Sequence, residues 1–339
     1  MSNPVLVEVF RGGLVESRHR GAIAVVDTDG AKVLAIGDIT KAVFPRSAVK
    51  PLQALPLVES GAADQYAFGD EELALACASH SGEPAQVEVV TRMLSKAGLD
   101  VSSLACGTHW PSSQTAAFAL ARAGVMPLAL HNNCSGKHAG FLSVACTLGV
   151  DHRGYWRPDH AVQHHVRAVL EDLTGTPLSD DDRAIDGCSV PTWAIPIANL
   201  ARAFARFGTG RGLALGRADA AARLRAACAQ KPWYVAGTGR FCTEVMQLLG
   251  PRLLVKTGAE GVFCAALPGL GFGIAIKCDD GAGRAAEAIM AALIARFVRL
   301  DDVERAIVAS FVRPSLRNWN GTEVGSLRVS EAIAAASLQ

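Results

Sequence analysis

The order of the predicted elements places the strands at the two ends of the chain. Alternating apolar residues predict a strand over 4–10 and a hairpin with arms at 21–27 and 31–38. Consecutive strands with Gly-rich turns are predicted within 252–281. This order differs from the β-α-β-α alternation of a parallel doubly wound sheet. It favours an antiparallel sheet built from both chain ends.

The region between the two groups of strands is predicted to be helical. Apolar residues recur there at helical spacing, over 70–78, 84–98, 114–124, 136–149, 158–175, 195–208 and 217–230. A further helix is predicted at 284–300, and a last one is an option at 330–338. The fold class is therefore α+β, an α/β sandwich whose sheet is flanked by helices.

Residues 1–339 are expected to form a single catalytic unit. Its sheet-forming ends would be 1–45 and 250–300, and its mainly helical middle 46–249. No internal repeat, low-complexity segment or long linker divides the chain.

Composition excludes several classes of partner. Half of the residues are hydrophobic and the formal charge is +1, without a basic stripe, so nucleic acid and anionic membranes are disfavoured. The start of the sequence does not read as a signal peptide, and the longest apolar run, 288–295, is too short to span a bilayer. We expect a cytoplasmic protein. Nine irregularly spaced cysteines argue against a disulfide framework.

The stretch FPRSAVKPLQALP places a serine three residues before a lysine. Ser47 and Lys50 would share one helical face, and a neutral lysine can take the proton of a serine nucleophile. Three prolines, Pro45, Pro51 and Pro56, favour a corner between a strand and a helix. Alone, however, a Ser-x-x-Lys motif arises by chance in most proteins of this size.

A Lys-Thr-Gly sequence at 256–258 strengthens the case for acyl transfer. It lies on a predicted strand before a Gly-rich turn. Serine β-lactamases and penicillin-binding proteins combine these two motifs in this order, together with a Ser-Asp-Asn element. That third element is missing here, and CASHSGEP, with Ser79 and Ser81, stands in its general region.

Two polar loops carry further reactive groups. HNNCSGKHAG (131–140) and IDGCSVPTW (185–193) each contain a cysteine. Cys134 and Cys188 could bind a metal together, zinc first. Their separation in sequence leaves the alternative of two unconnected cysteines at helix caps.

Five stretches together resemble the class 3 L-asparaginases, the rhizobial-type asparaginase II family. They are PRSAVKPLQALP, ASHSGEP, NNCSGKHAGFL, DGCSVPT and KTGAEGVFCAALP, and the resemblance spans roughly residues 5–330. It implies a fold similar to serine β-lactamases and glutaminases, hydrolysis of L-asparagine to L-aspartate and ammonia, and a homodimer.

The resemblance also implies two Ser-Lys pairs in one site. The first maps onto Ser47 and Lys50, and the second onto Ser79 and Lys256. Neighbouring lysines lower each other's pKa, so one can be a neutral base. We expect Ser47 to attack the side-chain amide with Lys50 as local base, while Ser79 and Lys256 relay protons. A β-aspartyl ester would form and then be hydrolysed by water.

A zinc site beside these pairs is implied as well. Its ligands map onto Cys134, Lys137 and Cys188, with water completing the shell. Lysine binds zinc only when neutral. The resemblance leaves open whether turnover requires the metal.

Three further residues are assigned to the binding region. Arg46 would pair with the substrate α-carboxylate, although a structural arginine is nearly as good an interpretation. Asp186 would orient a zinc ligand or hold the substrate ammonium, and His138 lies next to Lys137.

The alternatives are a different amide substrate or a non-enzyme. Glutamine, a β-lactam or a small peptide would suit a Ser-Lys amidohydrolase, and the missing Ser-Asp-Asn element disfavours the β-lactam. A zinc-binding ligand sensor on the same fold would be expected to lack a serine or a lysine of the pairs, and none is missing.

Overall fold

The computed structural model describes residues 2–335. Its strands are β1 Val5–Arg11, β2 Leu14–Val26, β3 Lys32–Ile36, β4 Ala42–Val43, β5 Arg183–Ile185, β6 Pro191–Trp193, β7 Ile195–Pro196, β8 Leu254–Thr257, β9 Val262–Leu267, β10 Phe272–Cys278, β11 Ser315–Arg317 and β12 Glu323–Val329.

One sheet draws its strands from both ends of the chain. Its order is β11-β12-β1-β2-β10-β9-β8, with β3 paired to β2, and every pairing is antiparallel. The long strand β2 joins the two halves, because its first part pairs with β1 and its second part lies between β3 and β10. The predicted α+β class and antiparallel sheet are confirmed.

The helices follow the predicted apolar periodicity. They are α1 Lys50–Gln53, α2 Leu55–Glu59, α3 Ala62–Gln65, α4 Asp70–Ala76, α5 Pro84–Lys96, α6 Gln114–Arg122, α7 Ser135–Thr147, α8 Ala161–Thr174, α9 Ile197–Thr209, α10 Leu215–Gln230, α11 Pro232–Val235, α12 Phe241–Leu249, α13 Gly283–Phe297, α14 Asp302–Val312 and α15 Glu331–Ala335. The seven helices predicted in the middle of the chain correspond to α4–α10. The option of a helix at 330–338 extends beyond the described residues, within which α15 begins at Glu331.

The C-terminal tail contributes more to the sheet than its sequence indicates. The sheet-forming end was expected to stop near residue 300, yet β11 and β12 extend the sheet beyond β1. Interrupted apolar patterns carry a weak local signal, and β12 is held in the sheet by pairing with β1 at the other end of the chain, which is a tertiary event.

Helices cover the sheet closely. Helix α9 packs against β2, β9 and β10, and α13 packs against β1, β10 and β12. A Cβ atom at Gly273 would lie 1.9 Å from the carbonyl oxygen of Ala201, so only glycine allows α9 to approach β10 this closely.

Two further features concern the cysteines and the helices. All nine cysteines are free, and eight are buried. No helix in residues 2–335 is long and apolar enough to cross a bilayer.

Candidate functional site

Ser79 lies just after the end of α4. The N-terminal cap of this helix is Gly69, whose backbone N–H donates to the Glu72 carboxylate at 3.1 Å, and its C-terminal cap is Cys77. The chain then leaves the helix, and the backbone N–H of Ser79 donates to the carbonyl of Val235 at 3.0 Å. Ser79 is therefore held on a turn pinned to a second segment, and its side chain is buried.

Two lysines reach the hydroxyl oxygen of Ser79. The Nζ of Lys50, at the start of α1, lies 3.0 Å from Ser79 Oγ, and the Nζ of Lys256, on β8, lies 2.9 Å from it. Both lysines are only 1% exposed. The second predicted pair, Ser79 with Lys256, is thus in direct contact, and Lys50 joins the same oxygen.

The two ammonium groups have different hydrogen-bond partners. Besides Ser79, Lys50 donates to the carbonyls of Ala78 (2.7 Å) and Asn133 (3.2 Å), which occupies all three N–H groups of an ammonium. Lys256 donates to a single carbonyl, that of its neighbour Thr257, at 2.7 Å. A neutral Lys256 can keep this bond and still accept a proton from Ser79.

Electrostatics also favour Lys256 as the neutral amine of the two. Burial, followed by the positive charge of Lys50, lowers the pKa of Lys256 to about 7. A large fraction of Lys256 is therefore neutral near neutral pH, as a general base requires.

Ser47 occupies a 3-10 turn, Arg46–Val49, directly before α1. The sequence predicts a contact between Ser47 and Lys50, yet among the described residues no hydrogen bond joins their side chains. The extended Lys50 side chain instead lies between the carbonyls of Ala78 and Asn133. The backbone N–H of Lys50 does bond to the carbonyl of Ser47.

Arg46, which precedes Ser47, has a left-handed backbone with φ of 52°. Such a conformation is uncommon for a residue with a side chain, because it raises the free energy of the folded chain. Residues that adopt it cluster at functional sites. The guanidinium of Arg46 forms an ion pair with Asp186. The residue predicted to pair with the substrate α-carboxylate therefore contacts the residue predicted to orient a zinc ligand or hold the substrate ammonium.

The Lys-Thr-Gly segment packs against the turn that contains Ser47. A Cβ atom at Gly258 would lie 2.7 Å from the carbonyl oxygen of Pro45 and 3.1 Å from the backbone nitrogen of Ala48. Glycine at this position is what allows the end of β8 to approach the turn. Both predicted motifs therefore lie at one place in the fold.

The predicted metal ligands also come together. Lys137, in the first turn of α7, donates to Cys188 Sγ at 3.0 Å, and Cys188 lies 3.3 Å from the Asp186 carboxylate. A hydrogen bond with Cys134 lowers the pKa of the Cys188 thiol to about 5, against the opposing effect of burial. The same bond, with burial, raises the pKa of Cys134 to about 12.

Lys137 is cationic in this arrangement. Burial alone would lower its pKa, but the charges of Cys188, Cys134 and Asp186 outweigh burial and raise it above the usual value for lysine. No cluster of three or more His, Cys, Asp or Glu residues suited to a metal occurs in residues 2–335. Two thiols and one amine nevertheless form a donor set that zinc accepts once the amine is deprotonated.

Comparison with known proteins identifies the family. The family model described as L-asparaginase II matches residues 7–329, which is nearly the whole chain.

The chain belongs to the L-asparaginase II family.

Membership makes the protein an amidohydrolase of the L-asparaginase type, and the expected resemblance is confirmed. Among curated proteins, no sequence matches this L-asparaginase II family member.

Solved structures show distant similarity. A β-lactamase from Mycobacterium bovis is 15% identical, with a TM-score of 0.40, over 86% of this chain and 93% of that one. A structure of Mglu is 18% identical, with a TM-score of 0.33, over 86% of this chain and 65% of that one. Both TM-scores are low, so the fold of this family member is described from its own strand order and not from these two structures.

His138 is buried behind Lys137 in this family member. Its Nδ1 lies 2.5 Å from the hydroxyl of Tyr155, which in turn accepts the backbone N–H of Ala105 at 2.9 Å. Burial, with the charge of Lys137, lowers the pKa of His138 to about 3. Its Nε2 has no partner among the described residues. The prediction that His138 binds substrate stays a prediction.

Several groups that contact the two lysines or affect their charge could not be identified from the sequence. The carbonyls of Ala78, Asn133 and Thr257 belong to the backbone, which carries no residue-specific signal. Arg240 also lies close enough for its charge to lower the pKa of Lys256. Its sequence neighbourhood, GTGRFCT, offered no pattern that pointed to this site.

Proposed function

We propose that this protein hydrolyses L-asparagine to L-aspartate and ammonia through an acyl-enzyme on Ser47. The observation that carries the mechanism is the chain of contacts from Lys50 through Ser79 to Lys256. The family supports an asparaginase, and these contacts supply the base that serine chemistry requires.

Proton transfer along this chain can free Lys50 to act as a base. Neutral Lys256 takes the proton of the Ser79 hydroxyl, and Ser79 takes one from Lys50. Lys50 is then neutral and can accept the proton of Ser47. The side chains of Ser47 and Lys50 share no hydrogen bond among the described residues, which is compatible with these transfers, because catalytic hydrogen bonds often tighten only when substrate binds.

The bonds then change in two steps. In the first, Ser47 Oγ attacks the side-chain carbonyl carbon of asparagine, the C–N bond breaks, and Lys50 returns its proton to the leaving nitrogen, which departs as ammonia. In the second, water attacks the β-aspartyl ester while Lys50 accepts its proton. L-Aspartate leaves, and the Ser47 hydroxyl is restored.

We further propose that Cys134, Lys137 and Cys188 hold a zinc ion. Bound zinc would keep both sulfurs as thiolates and add a dication that can bind the amino-acid end of the substrate. The three side chains come from α7, its N-terminal cap and the loop after β5. We retain the prediction of a homodimer, which sedimentation would test.

Ammonia release tests the reaction. The wild type should cleave L-asparagine well and L-glutamine poorly, and Ser47→Ala should be inactive but folded. Ser143→Ala is the matched control, because it removes a buried hydroxyl that donates to the carbonyl of Ala139 in its own helix.

Acid quenching during turnover identifies the nucleophile. Mass spectrometry should find the β-aspartyl group on Ser47. An adduct on Ser79 would show instead that the directly bonded Ser79–Lys256 pair attacks. Efficient cleavage of glutamine would favour the glutaminase alternative.

A further inference from the structure

Arg240 lies where two loops of the site meet. It directly precedes α12, and its Nη1 donates to Ser81 Oγ at 3.4 Å. The Ser81 hydroxyl itself donates to the carbonyl of Ala236 at 2.9 Å. Since Ser81 is two residues from Ser79, the guanidinium is held beside the loop that carries Ser79, the residue that links the two lysines.

The charge of Arg240 has no carboxylate partner in the part of the chain that the structure describes. Within residues 2–335, no carboxylate oxygen lies within 4.0 Å of its side-chain nitrogens. Burial raises the pKa of Glu287, and the charge of Arg240 offsets this only in part. Arg46, in contrast, is neutralised by Asp186.

Arg240 is also close to the reacting groups. Its positive charge is among those that lower the pKa of Lys256. An unpaired, half-buried guanidinium near a reaction centre matches the planar geometry of a carboxylate, to which it can donate two parallel hydrogen bonds. Among the proposed substrate's groups, only the α-carboxylate has this charge and shape.

We propose that Arg240 binds the α-carboxylate of the substrate and restricts the enzyme to amino acids in which that group is free. The inference depends on the proposed asparaginase function and adds the residue that selects the substrate class. It assigns to Arg240 the role that the sequence alone suggested for Arg46.

A pair of substrates separates this role from a structural one. L-Asparagine carries the α-carboxylate, whereas L-asparagine α-N-methylamide keeps the ammonium and the side-chain amide but lacks that charge. Ammonia release from both would be measured with the wild type and with Arg240→Gln. We expect the variant to lose about 10- to 100-fold in kcat/KM on L-asparagine and to match the wild type on the methylamide.

Equal losses on both substrates would overturn the proposal, because they would show that Arg240 acts through Lys256 or through the loop. Retention of full activity on L-asparagine would overturn it as well. If Arg240→Gln does not fold, Arg240→Lys keeps the charge without the two-pronged geometry, and it should weaken inhibition by the product L-aspartate.

The control and the underlying function are tested in the same experiment. Arg18→Gln removes an exposed arginine paired with Glu8 on the sheet and should leave kcat/KM unchanged on both substrates. If the wild type releases no ammonia from either compound, the proposed function itself fails, which is a different result from a failure confined to Arg240.

Discussion

Lys50 and Lys256 share one hydrogen-bond partner, the hydroxyl oxygen of Ser79, at 3.0 and 2.9 Å. Two ammonium groups this close repel each other, so one of them favours the neutral form. The partners of Lys50 are those of an ammonium, and Lys256 is the group whose pKa falls to about 7. The five predictions below test this relationship and its surroundings.

The activity should depend on pH through Lys256. The proposed mechanism needs the neutral amine, so kcat/KM should rise as pH increases through about 7 and reach a plateau above that value. A series of kcat/KM measurements from pH 5 to 9 checks this rise. Constant activity down to pH 5 would show that Lys256 is not the base.

Lys256 should also reduce stability at neutral and acid pH. Its pKa is about 7 in the folded chain and has the ordinary value of 10.5 in the unfolded chain. Between these values the unfolded chain binds more protons, so the stability contributed by this group rises with pH there and is lowest below pH 7. Lys256→Met should therefore raise the free energy of unfolding at pH 6 by roughly 1–4 kcal/mol.

Urea denaturation of the wild type and Lys256→Met at pH 6, 8 and 10 measures this difference, which should narrow as pH rises. Lys96→Met removes a half-exposed lysine paired with Glu72 and should not stabilise the protein. If Lys256→Met had a lower free energy of unfolding than the wild type at pH 6, the expectation that the buried charge of Lys256 destabilises the protein would be wrong.

Ser79→Ala should interrupt the proton path between the two lysines. Without the shared oxygen, Lys50 cannot lose its proton to Lys256, and we expect kcat to fall by at least about 10³-fold. Steady-state ammonia release is the measurement, with Ser143→Ala as the buried-serine control. A loss below tenfold would mean that Ser79 only shapes the turn.

Gly258→Ala should separate the two motifs. The added methyl group would lie 2.7 Å from the carbonyl oxygen of Pro45, so β8 must shift away from the turn that contains Ser47. We expect a loss of stability of about 1–3 kcal/mol together with reduced kcat. Gly216→Ala, in open space within α10, should instead keep activity and gain slight stability.

Zinc content tests the proposed metal site without reference to activity. Cys134→Ser and Cys188→Ser should each lower the zinc bound per chain, measured by atomic emission after dialysis against zinc. Cys146→Ser, a half-buried cysteine away from the cluster, should keep the wild-type content. Equal zinc in all four proteins would exclude this site.

Much of the fold could be predicted from the sequence because its signals are local. The strand over 4–10 and the helices α4–α10 follow from apolar periods of two and 3.6 residues, which each segment displays by itself. The strands β11 and β12 were not predicted, because β11 pairs with β12 and β12 pairs with β1 at the other end of the chain, and their own residue patterns are weak.

The candidate site divides in the same way. Ser-x-x-Lys, Lys-Thr-Gly and the two cysteine loops are visible as residue types at short spacing, and the resemblance of five such stretches predicted the family. The chemistry of these motifs depends on how close side chains from distant segments lie in space. The spacing of residues within one motif carries no information about such distances.

The sequence by itself therefore determined the α+β class, the helical middle and the family, since these depend on local periodicity and on contiguous motifs. Only the tertiary structure decided that the Lys50 amine bonds to Ser79 rather than Ser47, that Asp186 neutralises Arg46, and that Arg240 has no acidic partner within residues 2–335. The physical reason is that hydrogen bonding, burial and charge compensation are set by side chains that meet only when distant segments pack together.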